Sequence, residues 1–215
     1  MKYWIMCLSV ATLIGVSGCG GKMDEMRQAA ENVKELGKVS ENVEKANQVN
    51  EARREERRKR GDTLAMPYQD LQKYLPESVS GYTPQEPSGS TMNMTGMSYS
   101  TAARRYTKSG AEGAEESVEV TIIDYNASSD LYTGMTALWG TNFSMEDQNG
   151  YSRSFDLGMK DVAGWEHYDK QNKNSEITTA VGGRFILTVK ASTQPNNDMA
   201  KSIAKSMKLS ELAAK

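Results

Sequence analysis

The sequence predicts an α+β fold: a curved antiparallel sheet of about five to six strands packed with helices, preceded by a long solvated N-terminal helix. Three observations lead there. Trp, Tyr, Phe, Ile and Gly concentrate after residue 65, in short runs where apolar and polar residues alternate. Those runs are interrupted once, and followed at the end, by segments whose apolar residues recur at helical spacing. Upstream, residues 23–60 lack proline and are dense in Glu, Lys, Arg, Gln, Ala and Asn, a composition that favours helix. The resulting order, helix, two strands, helix, four strands, helix, suits one antiparallel sheet with helices against a face.

The first element is the charged segment. Small apolar residues recur at Met26, Ala29, Val33, Leu36, Val39, Val43, Ala46 and Val49, and Glu31 with Lys34, Glu35 with Lys38 and Glu41 with Lys45 place opposite charges one turn apart. The stripe is too thin and too irregular for a strong zipper. It predicts a helical stalk that would reach roughly 57 Å if helical from 23 to 60, with weak self-association as a secondary capacity. The run Arg53, Arg54, Arg57, Arg58, Lys59 and Arg60 reads as a solvated helix end, where cations complement the dipole. Gly61-Asp62 then sets the expected boundary between the stalk, 19–60, and a globular domain, 61–215.

Within that domain, residues 66–75 read as a short helix opened by Pro67 and closed by Pro76, and 76–90 as an irregular loop. Val118, Val120 and Ile122 alternate with Glu119 and Thr121 in a strand over 117–125, expected to pair with 92–106 across a loop at 110–116. Ser128-Ser129-Asp130 starts a helix whose apolar face would be Leu131, Met135, Leu138 and Trp139. Strands are expected over 151–157, 162–170, 175–181 and 184–191, separated by turns at Gly158, at 172–174 and at Gly182-Gly183. A last helix over 195–214 would bury Met199, Ile203, Met207 and Leu212.

The N-terminus carries an address. Lys2 precedes the mostly apolar residues 3–16, followed by Ser17, Gly18, Cys19 and Gly20: the charged start, apolar middle and small-residue end of an export signal. Val16-Ser17-Gly18-Cys19 resembles the lipobox of bacterial lipoproteins, with Val where Leu is usual. The resemblance implies that residues 1–18 are removed as a signal peptide and that Cys19 carries a diacylglycerol thioether and usually an N-acyl chain. Two or three such chains, at about 0.8 kcal/mol per buried methylene, hold a protein at a bilayer permanently. Gly20, rather than Asp, resembles lipoproteins sorted to the outer membrane of Gram-negative bacteria. The expected location is therefore the cell envelope, at the outer membrane in preference to the inner, facing the periplasm. Cys7 falls in the discarded signal, so the fold is expected to be held by packing without disulfides. The order of elements from 106 to 209 loosely resembles PsbP-type α+β domains of exported proteins, although no residue motif carries that resemblance.

Composition removes several function classes. The formal charge of −2 excludes a generally basic nucleic-acid binder. Basic residues outnumber acidic ones in 22–60 and the reverse holds beyond 61, so the polarity lies along the chain and could bring the stalk end to anionic lipid or cell-wall polymer. With a mean hydropathy of −0.64, part of the chain must be solvated without a core.

The single histidine, His167, shares a predicted strand face with Trp165, while Glu166 and Tyr168 take the other. A catalytic role would need a nucleophile such as Ser98 or Ser154, and neither has a nucleophile elbow around it. The acidic residues Glu115-Glu116, Glu146-Asp147 and Asp161 could supply the carboxylates of a glycan hydrolase, but pairs in turns are usually just hydrated. Residues 146–150 offer oxygen ligands without the alternation of a calcium loop and read as a turn. Met92, Met94 and Met97 are soft thioether donors that suit Cu(I), and their spacing resembles segments of exported copper-handling proteins. On a single strand, however, Met97 would point away from the other two unless Gly96 made a bulge.

The reading that follows is a membrane-anchored envelope lipoprotein, tethered through Cys19, with a non-enzymatic binding or structural role toward an envelope protein or cell-wall polymer and with no cofactor. Its alternative is a soft-metal or small-molecule module at Met92, Met94 and Met97.

Overall fold

Valine or isoleucine at every second position of 118–122 buries one side of a strand, and the sheet is organised around that strand. The computed structural model describes residues 41, 43–94, 97–110, 115–136, 139 and 143–215. The expected signal 1–18, Cys19 and most of the stalk lie outside them. The elements are α1 (43–59), α2 (Tyr68–Gln72), β1 (Thr83–Pro84), β2 (Ser88–Met94), β3 (Met97–Ser109), β4 (Glu115–Asp124), α3 (Ser129–Thr136), β5 (Ser144–Glu146), β6 (Gly150–Phe155), β7 (Val162–Asp169), β8 (Asn174–Val181), β9 (Phe185–Ala191), α4 (Asp198–Ser206) and α5 (Leu209–Ala213). Among the described residues no helix is long and apolar enough to cross a membrane.

The fold is α+β, with one antiparallel sheet in the order β1-β3-β4-β9-β8-β7-β6-β5 and β2 on the same outer side of β3 as β1. Among the described residues it has nine strands rather than five or six. Two of the additional strands, β1 and β5, have two and three residues, too few to show a period. The third arises because the segment expected as one strand over 92–106 is a hairpin: the chain reverses between Met94 and Met97, which become cross-strand partners.

Register aligns the apolar positions. Val118, Val120 and Ile122 of β4 lie opposite Ala191, Val189 and Leu187 of β9, and Ile177 and Val181 of β8 continue the same face. Leu71 of α2, Ala200, Ile203 and Ala204 of α4, and Leu209 and Leu212 of α5 close over that face and complete the core. Each large side chain buried there contributes roughly 1.5–3 kcal/mol. Central β9 is apolar on both sides, because Ile186 is also buried, against Tyr132 and Ala180.

Two helices differ from expectation. The last one breaks at Met207, whose backbone is extended, so that Met207, Leu209 and Leu212 all reach the core. Helix α3 seats Tyr132 against the sheet while Leu131 and Met135, expected on its buried face, are exposed.

The basic run is a solvated helix end only in part: Arg58, Lys59 and Arg60 are exposed, whereas Arg53, Arg54 and above all Arg57 turn toward the domain. Arg57 is only 3% exposed, and its Nε donates to Asn126 Oδ1 at 2.8 Å. Arg53 pairs with Asp161 at 2.5 Å. Beneath Arg57, Arg184 grips Asp124 with two bonds, of 2.9 and 2.7 Å, and reaches Asp62 at 2.6 Å. Asp124 also accepts the amide protons of Met66 and Asn126, and Asn126 donates to the carbonyls of Asp62 and Leu64. Burial alone would favour a neutral Arg184, yet the bonds and fields of Asp124 and Asp62 outweigh it and push its pKa up. Arg57 moves the other way, lowered first by burial and then by the charge of Arg184. These contacts cross residue 60, and the compact unit that holds the sheet spans Val39–Lys215.

Candidate functional site

With α2, α4 and α5 packed on one face, α3 seats Tyr132 on the opposite face of the sheet, against Ala180 and Ile186. Reading across the strands, that face consists of three rows. Ile123, Ile186, Ala180 and Ala163 form an apolar row, part of which packs with Tyr132 of α3. Beside it run Thr121, Thr188 and Thr178, continued by Trp165 and Ser154. The third row is charged: Arg105, Glu119, Lys190, Glu176, His167 and Ser152 occupy consecutive strands from β3 to β6. Opposite charges thus alternate across four strands, with Lys190 and Glu176 3.5 Å apart.

The charged row floors a groove of about 450 Å³ lined by Ser117, Glu119, His167, Asp169, Glu176 and Lys190. On the other side of His167 lies a smaller hollow of about 200 Å³, lined by Met145, Tyr151, Ser152 and Gln171. His167 and Asp169 line both. Phe143 stacks on Trp165 at 5.6 Å between ring centres, so an aromatic pair flanks the polar rows.

His167 and Trp165 do share this face, as their alternation predicts, and Glu166 lies on the helix-covered side. Glu166 accepts bonds from Arg153 Nε, Lys201 Nζ and Asn197 Nδ2 at 2.7, 2.8 and 2.9 Å. Burial pushes its carboxyl up, but those three donors more than offset the effect and hold it below the ordinary glutamate value.

The serines considered as nucleophiles are elsewhere. Ser98 is buried, donating to Asn93 Oδ1 and accepting from the Ala65 amide, and Ser154 Oγ points to the Phe143 carbonyl. It is Ser152 whose Oγ lies 2.7 Å from His167 Nδ1. Asp169, the nearest carboxylate in sequence on that face, is committed to a turn: its oxygens accept from the Gln171 and Asn172 amides and the Asn172 side chain, contacts that lower its pKa, those of Asn172 above all.

The carboxylates weighed for glycan cleavage are likewise engaged. Glu115 pairs with Arg105, Glu116 with Lys108, Glu146 with Lys170 and Asp161 with Arg53. Asp147 caps the β5–β6 turn through the Asn149 and Gly150 amides, as a turn reading of 146–150 implies. Among the described residues no group of three or more His, Cys, Asp or Glu side chains could hold a metal ion.

The three methionines are brought together by the hairpin. Met94 faces Met97 and Met92 faces Tyr99, so all three sulfur side chains project from one face, which corrects the single-strand geometry in which Met97 points away. Met94 and Met97 also line a hollow of about 210 Å³ with Arg54, Arg58, Asp62 and Leu64.

Comparison with known proteins adds no relative: no family model, no curated protein and no solved structure matches the chain. The site residues that sequence reasoning passed over are Thr178, Thr188, Lys190, Glu176 and Ser152. Their signal was the polar half of each strand's alternation. What makes them a surface is register between strands far apart in sequence.

Proposed function

We propose that this chain is a lipid-anchored protein of the cell envelope, tethered through Cys19, whose sheet face opposite α2, α4 and α5 binds a polar polymer of the cell wall without catalysis. The observation that carries the reading is the row order of that face: hydroxyls at Thr121, Thr188 and Thr178 lie beside alternating charges at Glu119, Lys190 and Glu176. Such a strip offers donors and acceptors at the spacing of neighbouring strands, ~4.8 Å, which suits an extended ligand carrying hydroxyl, carboxylate and amino groups. The stacked Phe143 and Trp165 add an apolar border. The anchor rests on the export signal and Cys19, and the preference for binding over catalysis on a serine–histidine pair whose neighbouring aspartate is held in a turn.

The test has two parts. Mass spectrometry of detergent-extracted protein is expected to find an N-terminal Cys19 peptide bearing acyl chains; a chain that keeps residues 1–18, or an unmodified Cys19, refutes the anchor. Purified cell wall is then expected to pellet the protein, and Thr188→Arg, which adds bulk to that sheet face only, to abolish pelleting. Pelleting that Thr188→Arg and Thr121→Arg leave intact removes the face from the reading, and crosslinking at Thr188 to an envelope protein in place of the wall would replace the ligand.

A further inference from the structure

Met92, Met94 and Met97 are 40%, 60% and 37% exposed, so none of them fills the core. Three large apolar side chains held in water on one face of an edge hairpin call for an explanation, since a methionine that packs nothing contributes little to the fold. Cross-strand partners such as Met94 and Met97 have Cβ atoms about 4.5–5.5 Å apart, and Met92 stands two residues along the same face, roughly 7 Å away. Each thioether sits at the end of a flexible arm with three rotatable bonds, so sulfurs at these positions can converge without moving the backbone.

We propose that Met92, Met94 and Met97 form a thioether site for a soft monovalent cation, Cu(I). Thioether sulfur prefers soft ions, whereas Mg²⁺, Ca²⁺ and Zn²⁺ require oxygen, nitrogen or thiolate donors, which these three side chains lack. The hollow beside Met94 and Met97 also holds Arg54, Arg58 and Asp62, and Arg54 is shared between Glu51 and Asp130, each at 3.7 Å, so charges of both signs border the methionines and the preference for Cu(I) rests on the softness of the sulfur donors. These side chains project from the same side of β3 as Thr101 and Arg105, beyond the end of the apolar row, and are separate from the threonine and charged rows on which the polymer reading rests.

The experiment is an anaerobic titration of the chain lacking residues 1–18 with Cu(I) in competition with a chromophoric chelator, repeated with Ag(I) as an air-stable probe. One ion per chain is expected, with sulfur-only coordination by X-ray absorption. Met94→Leu or Met97→Leu is expected to weaken binding by at least about tenfold, as loss of one arm of a chelate does, and the triple Leu variant to abolish it. The positions are exposed and Leu matches Met in volume, so an unchanged near-UV circular dichroism spectrum accompanies that result. Absence of binding by the parent chain, binding that survives the triple variant, or equal uptake of Zn²⁺ overturns the proposal.

Discussion

Replacing Arg57 by Ala tests whether the basic end of α1 belongs to the folded unit. The Arg57 side chain lies over the loop after β4, where its Nε satisfies Asn126 Oδ1 at 2.8 Å and Nη2 approaches the Gly183 carbonyl at 3.4 Å. Asn126 is itself buried and spends its amide nitrogen on Asp62 and Leu64, so its oxygen has no second donor within this network. Leaving a buried acceptor unpaired costs about 1–3 kcal/mol, and loss of the aliphatic stem's packing adds roughly 1 kcal/mol. Removing a charge that burial and Arg184 both disfavour gives part of this back. The net expectation is a destabilisation of about 2 kcal/mol, or a fall in Tm of roughly 4–8 °C for a domain of this size. Arg53→Ala is the control: its ion pair with Asp161 is about a third exposed on both sides, and such pairs contribute at most about 1 kcal/mol. Urea and thermal unfolding of the chain lacking residues 1–18, followed by the fluorescence of Trp139 and Trp165, measure both. If Arg57→Ala unfolds with the parent protein, or no earlier than Arg53→Ala, α1 is a stalk that merely touches the domain and the argument from burial fails.

Two further outcomes follow from other parts of the fold. Gly182 adopts φ +64°, and a Cβ there would lie 2.8 Å from Ala213 Cα, so Gly182→Ala is expected to cost at least about 1–2 kcal/mol through the left-handed backbone alone; a variant as stable as the parent in urea would refute the tight approach of α5 to the β8–β9 turn. Glu166 has its pKa lowered in the folded state, so its ionisation stabilises the fold above the unfolded value near 4.5, and that stabilisation is lost as pH falls through the lower folded value. Glu166→Gln is therefore expected to be less stable than the parent at neutral pH, by roughly 1–3 kcal/mol because Arg153 and Lys201 keep access to water, with the gap narrowing as pH drops below 4.5; a gap that stays constant across that range would show the carboxylate's charge to be irrelevant.

Local pattern carried much of the architecture. Alternation in 117–125 and 184–191 places Val118, Val120, Ile122, Leu187 and Val189 on one face, because a strand's side chains have a period of two whatever lies beside it. The Gly182-Gly183 turn, the division of Trp165 and His167 from Glu166 and Tyr168, and the helical spacing of Ile203 are legible for the same reason. The export signal proposed for residues 1–18 and the lipid proposed at Cys19 rest on sequence alone, since they are read from a linear segment.

Only the tertiary structure decided the rest. That Met97 joins Met92 and Met94 depends on a chain reversal after Met94, which turns a spacing of three along one strand into a cross-strand pair. That Leu131 and Met135 stay exposed depends on which side of α3 meets the sheet, a choice made by Tyr132 finding Ala180 and Ile186. The threonine and charged rows exist only because β4 pairs with β9 rather than with its neighbour in sequence beyond α3. Arg57 looks like one cation among six in a helix end, and nothing within several turns of it distinguishes it from Arg58. Its partners, Asn126 and Gly183, are 69 and 126 residues away. Periodicity reports which face of an element is apolar, but the identity of what covers that face is set by contacts at long sequence separation, which no local pattern encodes.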